Sequence, residues 1–178
     1  SILNASWVGV GRAKASGGGD VDGGTGTMVL NSASLWAQDV VIGTNGYLGG
    51  SAGSIHVSGS VVNHGTFSPG SSPGEFTIDG AFVAAAGSRM ILEVADNGSG
   101  GFVTDHVRFN GSADFGSPQI EFRFLGDTDP NAFQASGGFA IDTLLQQSNG
   151  AGGWGGVAPE ALGGATFSAR ADAYTFSS

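Results

Sequence analysis

Between residues 54 and 94 the chain is cut into short apolar segments by turn residues, and this punctuation constrains the fold more than any other feature. Ile55 and Val57 alternate with Ser54 and His56, and Phe76 and Ile78 with Glu75, Thr77 and Asp79. Met90, Leu92 and Val94 alternate with Arg89, Ile91 and Glu93. A period of two puts successive side chains on opposite faces of a half-buried strand. Between the strands stand Ser68-Pro69-Gly70 and Ser72-Pro73-Gly74, where proline presets φ and glycine accepts turn geometry.

Composition sharpens the reading. Among 178 residues there are 34 glycines, and each glycine inside a helix costs about 1 kcal/mol relative to alanine. The glycines are aperiodic and interleaved with apolar strands, which excludes a collagen-like repeat. Twelve phenylalanines can anchor a layered core. The length suits a single domain with a sizeable interior.

The formal net charge is −9, from 15 carboxylates against six basic residues, of which only Lys14 is a lysine. That balance disfavours nucleic acid, which is held by clustered Lys and Arg, and disfavours anionic membrane surfaces and polyuronates likewise. The absence of cysteine excludes disulfides and thiolate metal sites. No apolar run approaches the roughly 20 residues that span a bilayer, so membrane insertion is not expected. No signal peptide is visible, and the numbering is expected to start at a mature or cut end.

Three parts are expected: an N-terminal strand over residues 1–14, a glycine-rich linker over 15–27, and one β domain over 28–178. The linker could reach about 40 Å at 3.3 Å per residue. An apolar strand on such a tether can cap its own domain or complete the sheet of a neighbour. Ile2, Trp7, Val8 and Val10 are the candidate self-association residues. Further strands are expected over residues 28–42, 105–109, 118–124, 138–145 and 165–176, the last with Ala169, Ala171 and Ala173 inward between Phe167 and Phe176. Residues 146–156, with Trp154, are expected as a second glycine-rich loop.

Equivalent apolar positions recur at intervals of roughly 13 to 21 residues, which suits one turn of a coil stacked on the next. A sandwich shows turn signals every 8 to 12 residues or so. The expected fold is all-β, a right-handed β-solenoid of parallel β-helix type with a sandwich-like C-terminal end; a β-sandwich is the alternative.

The segment NHGTFSPGSSPGEFTIDG, residues 63–80, resembles the G-x-(L/F)-SPG-x-SPG-x-(L/F)-x-I-x-G segment of autotransporter-type passenger stalks and of secreted bacterial proteins carrying a PEP-CTERM sorting signal. Gly65, Phe67, both Ser-Pro-Gly triplets, Phe76, Ile78 and Gly80 take the motif positions. Glu93, Asp105, Val107, Phe109 and Gly111 fill similar places downstream, and Gly138-Phe139-Ala140-Ile141 approximates the family's closing segment. The resemblance spans roughly residues 50–176. It implies a β-solenoid that is secreted or displayed on the surface of a Gram-negative-type bacterium as stalk, fibre or matrix, and it brings no catalytic residues.

Candidate chemistry is sparse. Asp127, Asp129 and Asn131 place oxygen ligands at alternate positions, as calcium takes them, and Asp20 and Asp22 form a shorter version. Pro130 and the glycines read equally as plain turn and linker. His56, His64 and His106 have no zinc-ligand spacing. Gly70-Ser71-Ser72-Pro73-Gly74 has the spacing of a nucleophile elbow but lies between strands rather than on an α/β frame. Glu75 with Asp79, and Glu121 with Arg123, are outward pairs at strand spacing, read as solubilising charge. Asn4, Asn97 and Asn110 begin Asn-x-Ser triplets, which chance explains in a chain this rich in Asn, Gly and Ser. Trp7, Trp36 and Trp154 could each stack on a sugar ring if exposed; core or interface burial is the expectation, Trp154 in its glycine-rich loop is the best glycan candidate, and Tyr47 is a second if it lies on a flat face. The expected function is a non-enzymatic, cofactor-free structural protein that self-assembles by strand pairing or donation. Its partners would be copies of itself, with an extracellular glycan as the alternative ligand.

Overall fold

The structure, a computed structural model, describes residues 2–17, 19–70, 73–137 and 140–171. Strand makes up 56% of the described residues and helix 8%, so the protein is mostly β. The first strands are β1 (Ile2–Val10), β2 (Arg12–Lys14), β3 (Asp20–Asp22), β4 (Gly26–Val29), β5 (Ser34–Ile42) and β6 (Gly46–Gly49). The middle of the chain carries β7 (Ser54–Asn63), β8 (Thr66–Ser68), β9 (Glu75–Ala84), β10 (Arg89–Asp96), β11 (Phe102–Thr104) and β12 (His106–Asn110). Then follow β13 (Ala113–Phe115), β14 (Gln119–Phe124), the helices α1 (Pro130–Ala135) and α2 (Ile141–Leu144), β15 (Leu145–Ser148), β16 (Trp154–Gly156) and β17 (Thr166–Ala171).

From β4 to β10 the chain steps back and forth between two sheets. One runs β1-β5-β7-β9-β12-β15-β16, the other β17-β14-β10-β8-β6-β4. Pairing is parallel along both paths except for β16, which lies antiparallel on β15. In-register parallel pairing keeps matched side chains on one face, so they stack in columns. Leu3, Leu35, Ile55, Ile78 and Phe109 form one column; Met28, Leu48, Phe67, Met90, Ile120 and Phe167 form another. The two columned faces meet: the Phe67 ring lies 5.3 Å from Phe76 and 5.9 Å from Phe82, and Phe82 lies 4.9 Å from Phe109. This apolar contact is the core, and every interior member of both columns is fully buried.

Turns between the sheets are tight enough to require glycine. A Cβ at Gly65 would collide with the carbonyl oxygens of Gly43 and Gly46 on the preceding turn. Asn63, fully buried, fastens the same corner: its Oδ1 accepts the Gly65 N–H at 3.0 Å and its Nδ2 donates to the Arg89 carbonyl at 3.1 Å.

Several segments differ from expectation. The N-terminal strand is no separate part: β1 pairs with β5 from Ile2↔Ser34 to Val10↔Ile42, and Val8 and Val10 are buried. Within the segment expected as a linker, Asp20–Asp22 pairs antiparallel with Arg12–Lys14, and Gly26–Val29 pairs with Gly46–Gly49. Residues 141–144, expected in a strand, form helix α2, because Ile141 and Leu144 bury at helical spacing while the Thr143 hydroxyl bonds the Ala140 carbonyl at 2.7 Å. At the end expected to be sandwich-like, α1 packs Phe133 against Phe102 and Phe124, and Trp154 lies in β16 rather than a loop. Strand β10 buries Ile91 and Glu93 as well as its core face. Ser72 of the expected elbow, Gly138-Phe139, Ala173 and Phe176 lie outside the described residues.

Candidate functional site

The two core columns run out at edge strands. Leu3 continues the column of Leu35, Ile55 and Ile78, yet it is 47% exposed where Leu35 is fully buried. At the opposite end Phe167 continues the column of Met90 and Ile120 and is 54% exposed. Ile2 on β1 and Val29 on β4 add further exposed apolar surface at the first end. The outer edges of β1, β4 and β17 have no neighbouring strand among the described residues.

Of the expected self-association residues, Val8 and Val10 belong to the core, and Trp7 is half-buried against the Gly9 backbone. Ile2 alone of the four is largely open. The strand carrying them is thus the first strand of the chain's own sheet.

A second arrangement lies on the outward face of the larger sheet. Register brings Asn4, Trp36, His56, Asp79 and Asn110 into one row across β1, β5, β7, β9 and β12. The Trp36 and His56 rings stack at 3.9 Å with planes 12° apart. His56 is held in turn: its Nδ1 lies 2.6 Å from an Asp79 carboxylate oxygen and its Nε2 3.1 Å from the Ser54 hydroxyl. Ser54 stands 2.9 Å from the Ser34 hydroxyl. Ala5, Ser6, Gln38, Val57 and Ser58 complete an open groove of about 940 Å³ around the row. The pairing of β7 shifts register with both neighbours just beyond His56, as bulged strands do beside sites that re-aim side chains.

Ser54, His56 and Asp79 stand in the bonding order of a nucleophilic triad. Catalysis of that kind also needs N–H groups aimed at the developing oxyanion, and the Ser54 N–H already donates to the Ala33 carbonyl at 3.0 Å. The chain of bonds holds the imidazole, and the imidazole stacks on the indole.

The resemblance motif has its own anchor. Asp105 is fully buried; Oδ1 accepts the Gly74 N–H at 2.9 Å and Oδ2 the Glu93 N–H at 2.7 Å. A Cβ at Gly70 would strike this carboxylate, so glycine there lets the first Ser-Pro-Gly turn close over it. Burial pushes the Asp105 carboxyl up to about 7, against the opposing pull of the Glu93 and Gly74 N–H groups.

The remaining candidates disperse. Asp129 caps α1, its Oδ1 accepting the Asn131 N–H at 2.8 Å with Pro130 opening the helix, so one of the three expected calcium ligands serves as a cap. Among the described residues, no group of three or more His, Asp or Glu is placed to hold a metal ion. His106 bonds the Thr143 carbonyl through Nδ1 at 3.0 Å, far along the chain from His56. Glu75 pairs with Arg108 at 2.5 Å rather than facing Asp79, while Glu121 pairs with Arg89 at 2.5 Å and, as expected, with Arg123 at 3.5 Å. Trp154 is 40% exposed, but the Arg108 guanidinium lies over its ring at 5.5 Å. Tyr47 is half-buried. Among the described residues no helix is long and apolar enough to cross a membrane.

Trp36, a residue whose burial the sequence favours, is instead 48% exposed. Its neighbours Leu35 and Ala37 are apolar, and only the strand's period of two, set by Leu35 facing inward, points the indole outward. No protein-family model matches the chain, and neither a curated protein nor a solved structure matches it.

Proposed function

We propose that the chain is a right-handed β-solenoid serving as a non-enzymatic structural subunit outside a bacterial cell, stacked end to end with copies of itself. The alternation of the chain between two parallel sheets supports the coil, since crossovers joining parallel strands are right-handed in nearly all cases. The observation that carries the stacking is the pair of open column ends, Leu3 at one edge and Phe167 at the other.

Both ends present the same kind of surface. Strands β4 and β17 lie at opposite edges of one sheet and run in the same direction, so a translated copy can add β4 to β17 with the parallel order unbroken. Such a contact joins different surfaces head to tail and grows as a filament. Leu3 and Phe167 are about half exposed, so covering each contributes about 1–1.5 kcal/mol, beside the backbone bonds of the new ladder. Strand donation gives way to edge stacking here, because β1 carries core residues that its own chain needs.

The resemblance of residues 63–80 to passenger stalks supports a surface or secreted location. The net charge of −9 argues against nucleic acid as a partner.

Negative-stain electron microscopy of the purified chain tests the proposal, beside a Leu3→Lys/Phe167→Lys double variant. Filaments are expected from the wild type and single particles from the variant. Monodisperse wild-type particles at high concentration would overturn it.

A further inference from the structure

We propose that the row Asn4–Trp36–His56–Asp79–Asn110 is a binding groove for a neutral polysaccharide. Trp36 is 48% exposed, although an indole has a large apolar face that water penalises. Yet the ring is not loose: Ser54, itself bonded to Ser34, and Asp79 hold His56, and His56 on the neighbouring strand stacks against one face of the indole. An exposed aromatic locked in place by its neighbours is preorganised, which spares a ligand the cost of ordering it.

The chemistry around the ring suits sugars. A pyranose offers an apolar C–H face and a rim of hydroxyls. The indole matches the first; the Asn4 and Asn110 amides, the Asp79 carboxylate and the Ser58 hydroxyl match the second with both donors and acceptors. The row crosses five strands, and four spacings of about 4.8 Å give roughly 19 Å, room for several rings of an extended chain. Asp79 supplies negative charge, and Arg108 on the neighbouring strand is committed to Glu75, so an anionic polymer finds no free cation in the row. The ligand is a neutral chain.

This inference is independent of end-to-end stacking, because Trp36 lies on the outward sheet face. The test is affinity electrophoresis of the purified chain through gels containing hydroxyethylcellulose, mixed-linkage β-glucan, xylan, galactomannan or polygalacturonate. At least one neutral polymer is expected to retard the protein, and polygalacturonate is not. Trp36→Ala should weaken retardation by about ten-fold or more, equivalent to at least 1.4 kcal/mol. Trp36→Phe should keep part of it, and Trp154→Ala all of it. Circular dichroism of each variant checks that the fold is intact.

Three outcomes would overturn the inference. One is migration unaltered by every neutral polymer, and another is retardation that survives Trp36→Ala. The third is the release of new reducing ends that stops with Ser54→Ala, which would make the row a hydrolytic site.

Discussion

Asp105 accepts the backbone N–H of Gly74 at 2.9 Å and thereby fastens the entry to β9 to the junction between β11 and β12. Through its other oxygen it holds Glu93 of β10, so one buried carboxylate ties three segments of chain together.

That carboxylate makes stability depend on pH. Burial raises it from 3.8 to about 7 in the folded protein, so the fold binds the proton more tightly than the unfolded chain does. A group raised in this way stabilises fully below its unfolded value, and the contribution fades as pH rises through about 7. At 1.36 kcal/mol per unit the contribution is at most about 4 kcal/mol. In urea titrations, the stability gap between wild type and Asp105→Asn should therefore narrow from pH 5 to pH 8. Parallel curves would contradict it.

Gly65 sits where successive turns of chain touch. Gly65→Ala forces a methyl group into the Gly43 and Gly46 carbonyl oxygens and should cost about 1–3 kcal/mol. Gly17, by contrast, has open space around it, and Gly17→Ala should change stability by less than about 0.5 kcal/mol. Chemical denaturation of the two variants distinguishes a packing requirement at one corner from a general need for glycine.

Asp129 caps helix α1 through the Asn131 N–H. Asp129→Ala should lower stability by about 0.5–2 kcal/mol, and by the same amount with and without millimolar calcium. A thermal shift on calcium addition that vanishes in the variant would contradict this and assign calcium to Asp129.

Much of the strand pattern was legible in the residues. The alternation of Phe76 and Ile78 in β9, and of Ile120, Phe122 and Phe124 in β14, places the same side chains in the core that period two predicts. The helices were hidden by short range. Asp129-Pro130 is an N-cap followed by its first-turn proline, a signal that reads as a turn when the helix has only six residues. The groove was hidden by long range. Its row draws one residue from each of five strands spread from Asn4 to Asn110, and their alignment depends on pairings that no local pattern encodes. Asn4 and Asn110 could be noted only as starts of Asn-x-Ser triplets. The role of Asp105 was equally tertiary, since Gly74 lies 31 residues away.

The central claim is head-to-tail contact between the Leu3 end of one copy and the Phe167 end of the next. Light scattering on two single variants, Leu3→Lys and Phe167→Lys, alone and mixed, tests it most directly. Each variant keeps one sound end, so each alone should be a monomer and the equimolar mixture should form a dimer that grows no further. A mixture that stays monomeric while the wild type assembles, or a single variant that assembles alone, would contradict the account.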